Sequence, residues 1–81
     1  MNIERLHEFL TRAGVPEDAY SLRGGTNWNG RYCIDSEGNS WVVYFAENGL
    51  RSRLSTFEAE AEACEALFAW LKRDLGLAET E

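Results

Sequence analysis

Trp41-Val42-Val43-Tyr44-Phe45-Ala46-Glu47-Asn48-Gly49-Leu50-Arg51-Ser52-Arg53-Leu54 is the stretch that decides the fold. From Trp41 to Glu47 it is rich in aromatic and β-branched side chains, which fit a pleated, half-buried surface. Trp41, Val43 and Phe45 fall on one face and Val42 and Tyr44 on the other, so both faces are apolar and the strand belongs in the middle of a sheet. Asn48-Gly49 is a preferred pair for a two-residue hairpin turn, whose central positions need positive φ. Beyond it Leu50, Ser52 and Leu54 alternate with Arg51 and Arg53, giving a fourth strand antiparallel to the third. The two arginines, expected on one face, read as the charge that guards an edge strand against aggregation.

Working upstream, Arg31 to Asp35 reads as a second strand, and Asp35 to Ser40 as a loop with Gly38-Asn39 at its tip. Gly24-Gly25-Thr26-Asn27-Trp28-Asn29-Gly30 is turn-rich, and Tyr20-Ser21-Leu22-Arg23 alternates as a short first strand. Ile3, Leu6, Leu10 and Ala13 recur at helical spacing, with Phe9 widening the stripe. Asn2 caps that helix, and Gly14 followed by Val15-Pro16 stops it. Downstream, Phe57, Cys64 and Leu71 repeat every seven residues beside Ala61, Phe68 and Leu75, while Leu67 and Trp70 extend the apolar side over the sheet. Ser55 with Glu58 forms a capping box and Gly76-Leu77 a glycine stop, predicting a last helix of about 19 residues.

The order α-β-β-β-β-α predicts an α+β fold, an antiparallel meander sheet with the N- and C-terminal helices packed on one face. Residues 1–77 form the single domain and 78–81 a short disordered tail. The second face, carrying Val42 and Tyr44, is a docking or dimer surface wherever it stays open.

A chain of 81 residues has one core, and its 44% hydrophobic content suffices without metal or disulfide staples. Met1 to His7 lacks the apolar run and cleavage site of a secretory signal, and no stretch reaches the roughly 18 apolar residues of a membrane span. These features place the protein in the cytoplasm, away from membranes. Cys33 and Cys64 match no paired-thiol or zinc spacing and read as two buried thiols. Fourteen acidic against eight basic side chains give a net charge of −6, which repels a phosphate backbone and argues against nucleic acid. The same charge steers encounter with a basic protein.

His7, the one histidine, stands near Glu4 and Glu8 without a nucleophile or a second ligand, so its reading is structural. No catalytic constellation, metal set or cofactor motif is present, and an enzyme is not expected. Gly24-Gly25-Thr26-Asn27 precedes a strand, not the helix that a phosphate loop requires, and reads as a turn or bulge. Glu58, Glu62 and Glu65, spaced by four and three, form one acidic stripe with Glu60 off it. Trp28 either folds back onto the core, as most tryptophans do, or, where it is exposed, is a hot-spot residue type in an adaptable loop. With Asp35 and Glu37 in the next loop and Glu47 at the hairpin, these residues make up the expected partner-binding surface.

The run Trp41-Val42-Val43-Tyr44-Phe45, then Glu47-Asn48-Gly49, then Phe57-Glu58-Ala59-Glu60 and Ala63-Cys64, resembles the small immunity proteins of bacterial polymorphic toxin systems, including contact-dependent and type VI effectors. The resemblance spans Gly24 through Leu71, more than half the chain. It implies a neutraliser that docks on a cognate toxin domain, blocks its active site or assembly, and has no turnover of its own; the chain itself is expected as a monomer or homodimer. The alternative is a small homodimeric adaptor or a nucleic-acid-mimicking inhibitor, also without catalytic activity.

Overall fold

The computed structural model describes residues 1–23 and 30–76. Helix α1 spans Ile3–Arg12, and a single 3-10 turn covers Glu17–Ala19. Four strands follow, β1 (Tyr20–Ser21), β2 (Arg31–Glu37), β3 (Ser40–Glu47) and β4 (Leu50–Phe57), before helix α2 (Glu60–Leu75). The sheet order is β1-β2-β3-β4.

Local signals account for most of these boundaries. The Asn2 side chain accepts from the Arg5 amide at 2.9 Å, capping α1, and Gly14 leaves the helix at φ 80. Asn48 and Gly49 take φ values of 54 and 77, the paired left-handed conformation of a tight hairpin. β2 runs on to Glu37, two residues past the expected end, leaving Gly38-Asn39 as a second two-residue turn. Gly76 closes α2 in the left-handed region, its amide bonded to the Lys72 carbonyl.

Three expectations are corrected. The sheet is mixed, because β1 pairs parallel to β2 through Tyr20 with Tyr32 and Ser21 with Cys33, and the antiparallel meander is confined to β2, β3 and β4. The chain enters β1 from α1 through Pro16 and the 3-10 turn, running in the same direction as β2. α2 starts at Glu60 with Ala59 as its uncapped N-cap, not at the Ser55/Glu58 box. Ser55, Thr56 and Phe57 instead pair with Val43, Val42 and Trp41, a ladder that wins over one side-chain cap. Arg51 and Arg53 do not share a face, because the register skips between Val43 and Phe45. Arg53 and Leu54 together oppose Tyr44, and Arg53 sits at φ 58, a β-bulge that turns its side chain toward α2.

Helix α2 packs on one face of the sheet, against β2, β3 and β4, and α1 packs on α2 rather than on the sheet beside it, which corrects the expected pair of sheet-covering helices. Leu6 and Leu10 of α1, Ile34 and Val43 of the sheet, and Ala63, Cys64, Leu67 and Leu71 of α2 form a fully buried core. Each buried leucine contributes roughly 2 kcal/mol by removal from water. Phe9 stacks on Phe68 at 6.0 Å between ring centroids, and the Glu60 carboxylate accepts from the Ile3 amide at 3.0 Å, joining the starts of the two helices.

The second face, a docking surface only where it stays open, is closed at Val42 and Tyr44. Val42 is 4% exposed, and Cys33, Tyr44 and Ala46 are wholly buried there as a second apolar cluster. Part of the cover is a clamp. Arg51 of β4 reaches across β3, sets its guanidinium 4.7 Å from the centre of the Tyr44 ring, and meets Glu37 of β2 at 2.6 Å. Cys33 lies in this cluster and Cys64 in the helix-side core, so the sheet separates the two free thiols.

Candidate functional site

The acidic stripe is assembled where β4 hands over to α2. Phe57 ends the strand opposite Trp41, Ala59 continues in extended conformation, and α2 turns back along the sheet from Glu60. This corner leaves a hollow of about 570 Å³, lined by Thr56, Phe57, Glu58, Glu62, Glu65 and Ala66. Glu65 also borders a second hollow of about 570 Å³ with Met1, Asn2, Arg5 and Phe9. Glu58, Glu62 and Glu65 are exposed and, among the described residues, none is in an ion pair. Glu62 stands in the first turn of α2, where the helix dipole stabilises negative charge. Glu60, three residues from the fully buried Ala63, is occupied by the Ile3 amide and takes no part.

The remaining expected site residues are dispersed. Asp35 accepts from the Ser36 amide at 2.8 Å, and Glu37 is committed to Arg51, both on β2. Glu47 is at the β3-β4 turn, seven residues along β3 from Ser40 and so about 23 Å away along the strand. Trp28 lies outside the described residues.

Sequence reasoning missed a second polar cluster. Asp74, in the last turn of α2, accepts from the Tyr32 hydroxyl at 2.7 Å and from Arg53 at 2.9 Å, and Arg73 meets its other oxygen at 3.2 Å. The Arg53 guanidinium lies 4.7 Å from the centre of the Trp70 ring, and Tyr32 packs on Phe45 at 4.9 Å. The hydroxyl of Tyr32 and the two guanidinium groups hold the Asp74 carboxyl down at about 2. This cluster ties the end of α2 to β2 and to the bulge in β4. Its signal in the sequence is faint, since a bulge in the left-handed region is more often marked by glycine than by arginine. Thr56 and Phe57, also missed as lining of the acidic hollow, were legible as strand formers continuing β4.

His7 lines a cleft of about 610 Å³ with Glu4, Glu17, Tyr20, Ser21, Arg23 and Arg31 among its neighbours. Among the described residues the buried Tyr20 hydroxyl has no hydrogen-bond partner of good geometry, although Thr11 is close enough to influence its acidity. Burial, then the charge of Glu17, pushes that acidity toward higher pH. The Thr11 hydroxyl itself donates to the His7 carbonyl at 2.8 Å. Among the described residues no hydrogen bond joins the His7 ring to a carboxylate or hydroxyl, and no group of His, Cys, Asp and Glu is close enough to hold a metal ion. No helix among them is long and apolar enough to cross a membrane. Compared with protein-family models, curated proteins and solved structures, the chain matches none.

Proposed function

We propose that the chain is a cytoplasmic immunity protein that binds a cognate bacterial protein toxin and neutralises it by occluding the toxin's active site. The observation that carries this reading is the acidic hollow beside Phe57, where Glu58, Glu62 and Glu65 meet solvent with no ion-pair partner among the described residues. Three like charges gathered at one corner repel one another, and a cationic partner relieves that repulsion. Phe57 and Ala66 offer apolar contact for the aliphatic stem of an arginine or lysine whose charge meets the carboxylates. The net charge of −6 supports the same reading, because it steers a basic domain toward this surface and speeds association. Inhibition then needs only steric cover of the toxin's reactive cleft, with no chemistry by this chain.

Of the alternatives, the adaptor that dimerises through an open sheet face loses its surface, since Val42 and Tyr44 are buried. A nucleic-acid mimic calls for two rows of phosphate-like charge, whereas these acids concentrate at the start of one helix. The deciding experiment co-expresses the chain with the toxic domain encoded by the neighbouring gene. Rescue of growth by the natural chain, lost when Glu58, Glu62 and Glu65 are together changed to Lys in a variant that stays folded, is the expected result. Rescue unaffected by the triple change refutes the role of the hollow, and no rescue at all refutes the immunity reading.

A further inference from the structure

The long edge of the sheet carries a self-complementary strand. β4 is the last strand of the order, and among the described residues its backbone pairs only with β3. The other edge is closed by the two-residue β1, a blunt end by comparison. Of the three large hydrophobic side chains most exposed among the described residues, two belong to β4, Leu50 at 69% and Leu54 at 51%. The charge expected to guard this edge is drawn away from it, Arg51 toward Glu37 over Tyr44 and Arg53 toward Asp74 over Trp70.

The bulge gives β4 its symmetry. Without it, Leu50 and Phe57, seven residues apart, fall on opposite faces of the sheet. With Arg53 and Leu54 sharing one position, Leu50, Ser52, Ser55 and Phe57 pair with Glu47, Phe45, Val43 and Trp41, all on the helix-side face. The strand is then nearly palindromic about the bulge, apolar at both ends with a serine next inward on each side.

We infer that β4 is a homodimerisation edge, pairing antiparallel with β4 of a second copy about a two-fold axis through the Arg53-Leu54 bulge. In that register Leu50 faces the partner's Phe57, Ser52 faces the partner's Ser55, and the reciprocal contacts repeat by symmetry. Arg51 faces the partner's Thr56, and no like charges stand directly opposite each other across the seam. The two sheets join into one of eight strands. The pairing rests on the register of β4 and shares Thr56 and Phe57 with the lining of the acidic hollow, and it is tested on the purified chain alone, apart from the toxin reading.

Sedimentation velocity on the purified chain, from about 1 to about 200 μM, tests it. The expected result is a concentration-dependent species of twice the 9.2 kDa chain mass, with its dissociation constant raised at least about tenfold by Leu50→Arg, a change at an exposed position that the fold tolerates. An equimolar mixture of Ser52→Cys and Ser55→Cys variants should form the mixed disulfide in preference to either self-disulfide, with the natural thiols buried and silent. A monomer throughout the range, a dimer indifferent to Leu50→Arg, or cross-linking without preference for the mixed pair overturns the proposal.

Discussion

Replacing Arg53 by glycine and, separately, by alanine isolates the cost of the bulge. Arg53 holds φ 58, a conformation that costs a residue with a Cβ about 1–2 kcal/mol and glycine almost nothing. Both replacements remove the guanidinium, so its contacts with Asp74 and Trp70 cancel in the difference between the two variants. Against the relief stands the larger backbone entropy that glycine loses on folding, roughly 0.5–1 kcal/mol relative to alanine. The glycine variant should therefore be the more stable by about 0.5–1 kcal/mol, which for a domain of this size is roughly 3–6 °C in midpoint. At Ser52, in regular pairing opposite Phe45, the order should reverse, with alanine above glycine by a similar amount. Urea unfolding with the slope checked for constancy measures all four variants. If alanine exceeds glycine at Arg53 by as much as it does at Ser52, the left-handed bulge is absent and the symmetry argued for β4 falls with it.

Two further outcomes follow from the same structure. Because the Asp74 carboxyl is held at about 2, below its ordinary 3.8, its contribution to stability is complete above pH 3.8 and is lost as pH falls toward 2. Asp74→Asn should flatten that acid limb in a pH series of unfolding free energies, and an unchanged limb contradicts the Tyr32-Arg53-Asp74 cluster. Burial pushes the Cys33 thiol up to about 11 and raises that of Cys64 as well, so neither should react with a thiol reagent in the native state near pH 8, while both should titrate after unfolding. Rapid native labelling of either, or a Cys33-Cys64 disulfide in the folded chain, contradicts their placement on opposite sides of the sheet.

What was legible in the sequence is what local chemistry determines. The Asn2 cap, the Gly14 stop, the Asn48-Gly49 turn and the Gly76 terminus each depend on a few neighbouring residues, and each holds. The apolar residues on both faces of β3 correctly marked it as a central strand, and Cys33, Tyr44 and Ala46 are buried with Val42 on the second face. What escaped depends on distant partners. The parallel direction of β1 depends on how the chain leaves α1, and the start of α2 depends on whether Ser55 to Phe57 find Val43 to Trp41 across the hairpin. The acidic stripe was readable from helical spacing alone for Glu62 and Glu65. Glu58, by contrast, precedes the helix and joins them only because the chain turns at Ala59. Glu47 and Glu37 had the right charge, but their placement depends on sheet geometry, which separates one and neutralises the other.

The most direct test of the proposed function is the association rate of the purified chain with its toxic domain, measured by stopped flow across a range of ionic strength. The hollow formed by Glu58, Glu62 and Glu65 predicts fast association that slows steeply as salt screens it. Changing all three to Lys should slow the low-salt rate by at least about tenfold and flatten its salt dependence. A triple variant that associates at the natural rate, with the same dependence on salt, would show that the hollow is a solvated surface with no part in recognition.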